Sequence, residues 1–275
     1  MRPKLMTDQA IATPAELLRR LKGVEGWLAG QEAWTLYQNA LTVPAANRIP
    51  LIVDVGSYMG RSAIAMGLAL KVRGGGRLVT IDPQSPERHL RLTENMRDRG
   101  VDDVVEAWRM GSVGAAQKFE PGTVDMVFID ADHRFESVLQ DMIVWRPALA
   151  DGAVVAFNDP FWKGVNRFLR EYVFVLSSPF RDPNLVENTL FLAYRPNQDL
   201  TRLEVELFPL MRTFLKRGRL RHVLDRRSGR RGRLPDRFRD LGVGLDARRF
   251  PRLAVKAEAA AKRAHEARMR DRARH

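Results

Sequence analysis

The 275-residue sequence contains no cysteine. That excludes disulfides, thiolate zinc sites and cysteine nucleophiles, and it is compatible with a reducing cytoplasm. Long apolar runs are missing too: no stretch approaches the roughly 20 residues needed to cross a bilayer. The opening MRPKLMTDQA has charges but no apolar segment behind them, so it does not read as a secretory leader. A soluble, cytoplasmic protein is expected. Histidine is scarce, and only His89 and His133 fall within the first 211 residues. What is plentiful is apolar content, 45% of the chain, which places it among globular proteins that bury a proper core.

The net charge of +13 is unevenly spread. Residues 212–275 hold 22 Lys/Arg against 7 Asp/Glu, whereas residues 1–211 hold 24 against 26. All of the basic excess therefore lies in a C-terminal extension, which reads RTFLKRGRLRHVLDRRSGRRGRLPDRFRD and ends in the Ala- and Arg-rich KAEAAAKRAHEARMRDRARH. The last stretch is a good helix former with scarcely any apolar face. Such Arg density attracts phosphates, so weak polyanion binding, to RNA or anionic lipid, stands beside a merely solubilising or packing role. Aromatics here are limited to Phe214, Phe238 and Phe250, which speaks against base-stacking readout of single strands. With so little apolar surface to add, residues 212–275 are expected to be dispensable for folding. The charge break suggests a helical cap over 1–45, a central domain over 46–196 and the basic extension over 197–275.

The central domain alternates short apolar strands with longer helices. Strands are predicted at Leu51–Val55, Arg77–Asp82, Val104–Met110, Val124–Asp130 and Gly152–Phe157, with helices after Gly60, over Pro86–Arg99 and over Glu136–Leu149. That alternation indicates a parallel sheet covered on both faces. One more helix is expected near Val165–Tyr172. The apolar segments Val173–Leu176 and Thr189–Tyr194 are joined by a Pro- and Asn-rich loop too short for a crossover helix, so they should close the sheet as an antiparallel hairpin. Two helices precede the first strand, the second carrying Trp27, Trp34, Tyr37 and Leu41 at helical spacing. Those aromatics are expected to cover one end of the sheet.

In open parallel sheets ligands bind beyond the carboxyl ends of the strands, where every motif of this chain sits. Gly56 and Gly60 in VDVGSYMGRS let the backbone turn tightly and approach a ligand, and the helix that follows offers free N–H groups. The motif is neither GxGxxG nor a Walker loop. Asp82, at the end of the second strand, can accept two hydrogen bonds from a ribose diol or can cap the next helix.

VDVGSYMGRS, TID, GSV at Gly111–Val113, FIDADH and FND together resemble the ordered motifs of class I S-adenosylmethionine-dependent methyltransferases. They are most similar to the metal-dependent small-molecule branch of catechol, caffeoyl-coenzyme A and macrolide-sugar O-methyltransferases. The resemblance covers about residues 25–196. It implies a doubly wound, mostly parallel Rossmann-like α/β sheet with an antiparallel edge strand, followed by the basic helical extension. It further implies that Asp54, Gly56 and Gly60, with Ser57 and Ser62 of the same turn, hold the methionine end of S-adenosyl-L-methionine. Asp82 would hold the ribose, and Gly111 and Ser112 the adenine side; this chain has Gly111 where relatives often carry an acidic residue.

A second constellation comprises Asp130, Asp132, His133, Asn158 and Asp159. Carboxylates and an amide oxygen are hard ligands suited to Mg²⁺. By resemblance the divalent ion would sit on Asp130 and on the pair Asn158 and Asp159, which appears in reversed order relative to the relatives. His133 matches the position of a lysine or histidine base and can take a proton from a metal-acidified hydroxyl. Alternatively it is an exposed residue at a helix start, with Asp132 as the cap. O-methylation of a small hydroxylated acceptor, such as a sugar or secondary metabolite, is the expected activity. Methylation of RNA or another nucleic acid, anchored by the basic extension, is a second expectation, and a non-catalytic cofactor-binding module a third. The sequence leaves the oligomeric state open.

Overall fold

The computed structural model describes residues 11–45 and 48–227, the last eight by backbone alone. Its seven strands are β1 (Leu51–Val55), β2 (Arg77–Ile81), β3 (Val105–Trp108), β4 (Val124–Ile129), β5 (Leu149–Asn158), β6 (Phe180–Val186) and β7 (Thr189–Tyr194). They form one sheet in the order β3-β2-β1-β4-β5-β7-β6. The first five strands pair in parallel; β7 runs antiparallel to β5, and β6 antiparallel to β7. This is the doubly wound α/β sheet expected from the alternating pattern, with the reversal carried by its far-edge hairpin. The strand order turns back between β1 and β4, so their carboxyl ends open a crevice between the two halves.

The hairpin uses different residues from those expected. Val173 closes a π-helical turn, Leu169–Val173, and the first arm of the hairpin is Phe180–Val186. That arm runs through Arg181-Asp182-Pro183-Asn184, which reads as a loop in the sequence. Pro183 has no N–H to give a ladder, and an edge strand tolerates this. The pairing with β7 shifts register between Arg181 and Asn184.

The central strands β1 and β4 are buried along almost their whole length, as the middle of a parallel sheet requires. In β4, Val127 and Ile129 enter one core while Met126 and Phe128 enter the other. The helices α1 (Pro14–Arg20), α2 (Gly30–Thr42), α3 (Arg61–Arg73) and α4 (Pro86–Asp98) cover the second face. The helices α5 (Ser112–Ala116), α6 (Phe135–Trp145), α7 (Lys163–Phe168) and α8 (Arg202–Arg227) cover the first. Trp34 and Tyr37 of α2 stack at 5.2 Å, as the covering role of the aromatics requires. Trp27 departs from it: α2 starts only at Gly30, so Trp27 precedes the helix and is 86% exposed, with its ring 4.9 Å from Tyr58.

Helix α8 sends apolar side chains from both sides of residue 212 into the core, where residues 212–275 were expected to add little apolar surface. Leu207, Phe208, Met211, Phe214 and Leu215 are buried in the same cluster as the sheet. The remainder of the extension, residues 228–275, lies outside the described residues, and with it the expected terminal helix and most of the phosphate-attracting charge. Among the described residues no helix is long and apolar enough to cross a membrane.

Candidate active site

Asp54 sits at the end of β1, wholly buried beneath the glycine turn. Its Oδ2 accepts hydrogen bonds from Ser62 Oγ (3.0 Å) and Thr80 Oγ1 (2.7 Å), and Thr80 Oγ1 lies 2.6 Å from Ser57 Oγ. Its Oδ1 is buried without a hydrogen-bond partner among the described residues. Three of the residues expected to touch the cofactor thus form one polar knot that fixes the turn, with Thr80 as a fourth member. Thr80 was legible as the polar residue inside an apolar strand. Burial raises the Asp54 carboxyl to about 7 despite its two donors, with the nearby Asp130 and Asp82 adding to the effect.

A stability consequence follows. The unfolded chain releases this proton near 4 and the folded chain only near 7, so stability falls as pH rises through that window and levels off above it. Asp54→Asn keeps an oxygen for Ser62 and Thr80 and puts an amide where Oδ1 has no partner. We expect urea unfolding between pH 5 and 8 to show a shallower decline in the variant; an identical slope would refute the assignment.

The turn needs both glycines for packing as well as for approach. Gly56 has φ +105°, and a Cβ there would lie 2.2 Å from the Asp130 carbonyl oxygen. Gly60 has φ +87°, and its Cβ would lie 2.5 Å from Leu92 Cδ1. The close approach at Gly56 is what sets the β1 turn directly against the end of β4. Tyr58, at φ +42°, gives its backbone N–H to Asp82 Oδ2 at 3.0 Å. Asp82 Oδ1 makes no hydrogen bond among the described residues. The capping role open to Asp82 is filled instead by Ser85, whose hydroxyl accepts from Arg88 N. Gly111 is exposed at the start of α5, while Ser112 turns its hydroxyl inward to accept from Trp145 Nε1 at 2.9 Å. A ligand would therefore meet this segment at its backbone.

The second constellation gathers beyond the ends of β4 and β5. Asn158 Nδ2 donates to Asp130 Oδ1 at 3.0 Å. His133 Nε2 stands between two carboxylates, 3.6 Å from Asp130 Oδ1 and 3.5 Å from Asp159 Oδ2. Both separations are long for a hydrogen bond, so charge attraction dominates. Burial works to lower the imidazole pKa, but Asp130, Asp159 and Asp132 outweigh it and hold it above its ordinary value. Asp132 does not join the cluster. It accepts the N–H of Arg134 (3.0 Å) and Ser137 Oγ (3.0 Å) at the start of α6, and Arg134 holds its carboxyl down at about 2.

Asp159 adopts φ +51°, a left-handed conformation that costs energy for a residue with a Cβ and that clusters at functional sites. Its N–H is held by the Asn188 carbonyl at 2.7 Å, and its own carbonyl takes the N–H of Trp162 at 2.9 Å. The Trp162 ring lies 5.1 Å from that of His133. Gly164 brings α7 so close that a Cβ would sit 2.2 Å from the His133 carbonyl oxygen. A cavity of about 620 Å³ opens beside this face, lined by His133, Phe135 and Trp162 with Arg134, Lys163 and Arg167.

Two groups behind the cluster carry no sequence signal, because only the tertiary structure brings them there. Thr189 Oγ1, fully buried, lies 3.0 Å from Asn158 Oδ1 and 3.2 Å from Glu32 Oε1. Glu32, 2% exposed on α2, also accepts the N–H groups of Ala29 and Asn188, each at 2.8 Å. Burial raises its carboxyl to about 7.

Comparison with known proteins bears on the fold. Residues 53–160 match the family model described as a methyltransferase domain, a span that runs from β1 to the segment after Asp159. The fold is similar to that of cofactor-bound Rv0187 from MTB, with a TM-score of 0.51 and 18% identity over 66% of this chain and 89% of that one. It is likewise similar to the O-methyltransferase from Bacillus cereus in complex with SAH, with a TM-score of 0.50 and 18% identity over 69% of this chain and 94% of that one. No curated protein matches the sequence.

Proposed function

We propose that residues 53–160, which match a methyltransferase domain model, are a class I, S-adenosylmethionine-dependent methyltransferase domain, and that this chain methylates a hydroxyl oxygen of a small acceptor. The observation that carries this reading is the placement of His133 between Asp130 and Asp159, beside the cavity and beyond the end of a strand adjacent to the glycine turn.

S-adenosylmethionine, when bound, supplies the methyl group on its sulfonium. Gly56, Gly60 and the knot of Asp54, Ser57, Thr80 and Ser62 form the floor for its methionine end. Asp82 Oδ1 would accept from its ribose, and the backbone at Gly111 and Ser112 would border its adenine. The acceptor occupies the cavity against Trp162 and Phe135. His133 Nε2 takes the hydroxyl proton, and Asp130 and Asp159 stabilise the imidazolium that results. Holding donor and acceptor in line supplies most of the remaining rate.

The donor types of Asp130, Asn158 and Asp159 fit a hard divalent cation such as Mg²⁺. Among the described residues no group of three or more His, Cys, Asp or Glu could hold a metal ion, and Asn158 turns its NH₂ toward Asp130 and its amide oxygen toward Thr189. Such an ion supplies positive charge that acidifies a hydroxyl bound to it. A second reading is favoured by His133 itself. As an imidazolium placed between the two carboxylates it occupies the position of a bridging cation and gives a metal-independent base. Methyl transfer from labelled S-adenosylmethionine to hydroxylated acceptors, with and without chelator, separates the two readings, and absence of transfer to oxygen under either condition refutes both.

The ribose assignment has its own test. Asp82→Ala should weaken binding of S-adenosylhomocysteine by about 1.5–3 kcal/mol, roughly ten- to a hundredfold in Kd, because a charge-assisted hydrogen bond is lost. Calorimetry that finds a folded variant with unchanged affinity removes Asp82 from the site.

A further inference from the structure

Helix α7 gives the cavity beside His133 a cationic wall. Lys163 and Arg167 lie one turn apart on α7, both are exposed, and both line the cavity. Arg167 is held in place. Its guanidinium lies 3.9 Å from the centre of the Phe135 ring, and its Nε donates to the two carboxylate oxygens of Glu171 at 3.1 and 3.2 Å. Those contacts leave its Nη groups without a hydrogen bond among the described residues. Lys163 has no partner at all among the described residues. Two neighbouring cations with unspent N–H donors on a cavity wall are matched by an anion with several acceptor oxygens.

The rest of the lining directs an anion to that wall. Arg134, at the start of α6, is already balanced: Asp132 accepts from its Nε at 2.6 Å, and Glu136 adds a second negative charge nearby. Asp130 and Asp159 flank His133 Nε2, so they repel an anionic end from the base and leave a neutral hydroxyl free to approach it. Trp162 and Phe135 add apolar surface to the same lining.

We infer that the acceptor is a small anion, a hydroxyl compound carrying a carboxylate or a phosphate, whose charged group binds Lys163 and Arg167 while its hydroxyl reaches His133. This names the substrate class of the proposed reaction, rests on that reading and needs no metal ion. The charged group keeps the same contacts before and after methyl transfer, so Lys163 and Arg167 act on acceptor binding more than on the chemical step. A structural role alone would not make binding depend on the charge of the acceptor.

The test uses three probes that differ in one substituent: meta-hydroxybenzoate, meta-hydroxyphenyl phosphate and the neutral meta-hydroxybenzyl alcohol. Each is titrated calorimetrically into the full chain in the presence of S-adenosylhomocysteine. We expect at least one anion to bind about tenfold or more tightly than the alcohol, and the tighter of the two tells carboxylate from phosphate. Lys163→Gln should remove most of that preference, Lys163→Arg keep it and Lys163→Glu reverse it, with affinity for the alcohol within about twofold of the parent throughout. Anions that bind no better than the alcohol, absence of binding included, overturn the inference. A preference that survives both Lys163→Glu and Arg167→Gln overturns it too. Methyl transfer from labelled S-adenosylmethionine separates this inference from the reading beneath it. Anion-selective binding with no transfer to the oxygen of any hydroxylated acceptor refutes O-methylation and leaves Lys163 and Arg167 as an anion site. Transfer to the alcohol as fast as to either anion refutes the anionic acceptor and leaves O-methylation standing.

Discussion

His133→Ala should lower kcat by about 10²–10⁴, the range for loss of a general base, while S-adenosylhomocysteine affinity stays within a factor of about two. An alcohol hydroxyl does not ionise at neutral pH, so the protein must supply a base, a cation or both. His133 Nε2 is the imidazole nitrogen that lies beside the cavity and between the two carboxylates. The glycine knot and Asp82 lie on the β1 and β2 side of the crevice, which is why cofactor affinity is spared. Asp130→Ala run in parallel distinguishes the two readings of the site. If a divalent ion acts, this variant loses the part of the rate that chelator removes from the parent. If His133 acts alone, chelator has no effect on the parent, and Asp130→Ala slows turnover by withdrawing one of the two charges that stabilise the imidazolium. A His133→Ala rate within a few fold of the parent, measured on the true acceptor with chemistry limiting, refutes the catalytic assignment.

A chain ending at residue 200 should fail to fold, and a chain ending at Arg227 should melt and bind cofactor as the full chain does. The shorter truncation removes Leu207, Phe208, Met211, Phe214 and Leu215 from the core cluster that also holds Phe161, Val165 and Phe174. Large-to-small deletions of single buried side chains cost about 2–5 kcal/mol each, and whole domains are stable by only about 5–15 kcal/mol. Even with strong non-additivity, five such losses exceed what the domain has. A specific tie is lost as well: Asn166, fully buried, gives its Nδ2 protons to the carbonyls of Pro160 (2.9 Å) and Leu215 (3.0 Å), joining α8 to the segment that follows Asp159. Every residue named in this core cluster precedes residue 228, so the longer truncation keeps all of them. Soluble yield, circular dichroism melting and cofactor titration check both truncations; a cooperatively melting chain that ends at 200 would show that α8 is an accessory.

Much of the fold was legible because strands buried on both faces must be apolar nearly throughout, and the chain has five such runs separated by helical stretches. The reversed hairpin was legible as an arm too close to its partner for a crossover. Its other arm was not. Phe180–Val186 contains Pro183 and Asn184, and only its position at the sheet edge, where half of its backbone needs no partner, lets those residues lie in a strand. The buried face of helix α8 was not legible for a related reason. Its Arg-rich composition hides one apolar stripe, and a net-charge count is blind to periodicity.

The amino-acid sequence by itself determined the order of strands and helices, the two positive-φ glycines of the first turn, and the acidic residues at the strand ends, because these depend on local conformation and on the rule that ligands meet a parallel sheet at its carboxyl edge. The tertiary structure decided how those residues are buried and partnered. It buried Asp54 beneath the turn, occupied Asp132 and Ser112 with neighbours of their own, and brought Glu32 and Thr189, 157 positions apart, behind Asn158. Such roles depend on which donors and acceptors converge in space, and hydrogen-bond partners far apart in the chain leave no periodicity to read.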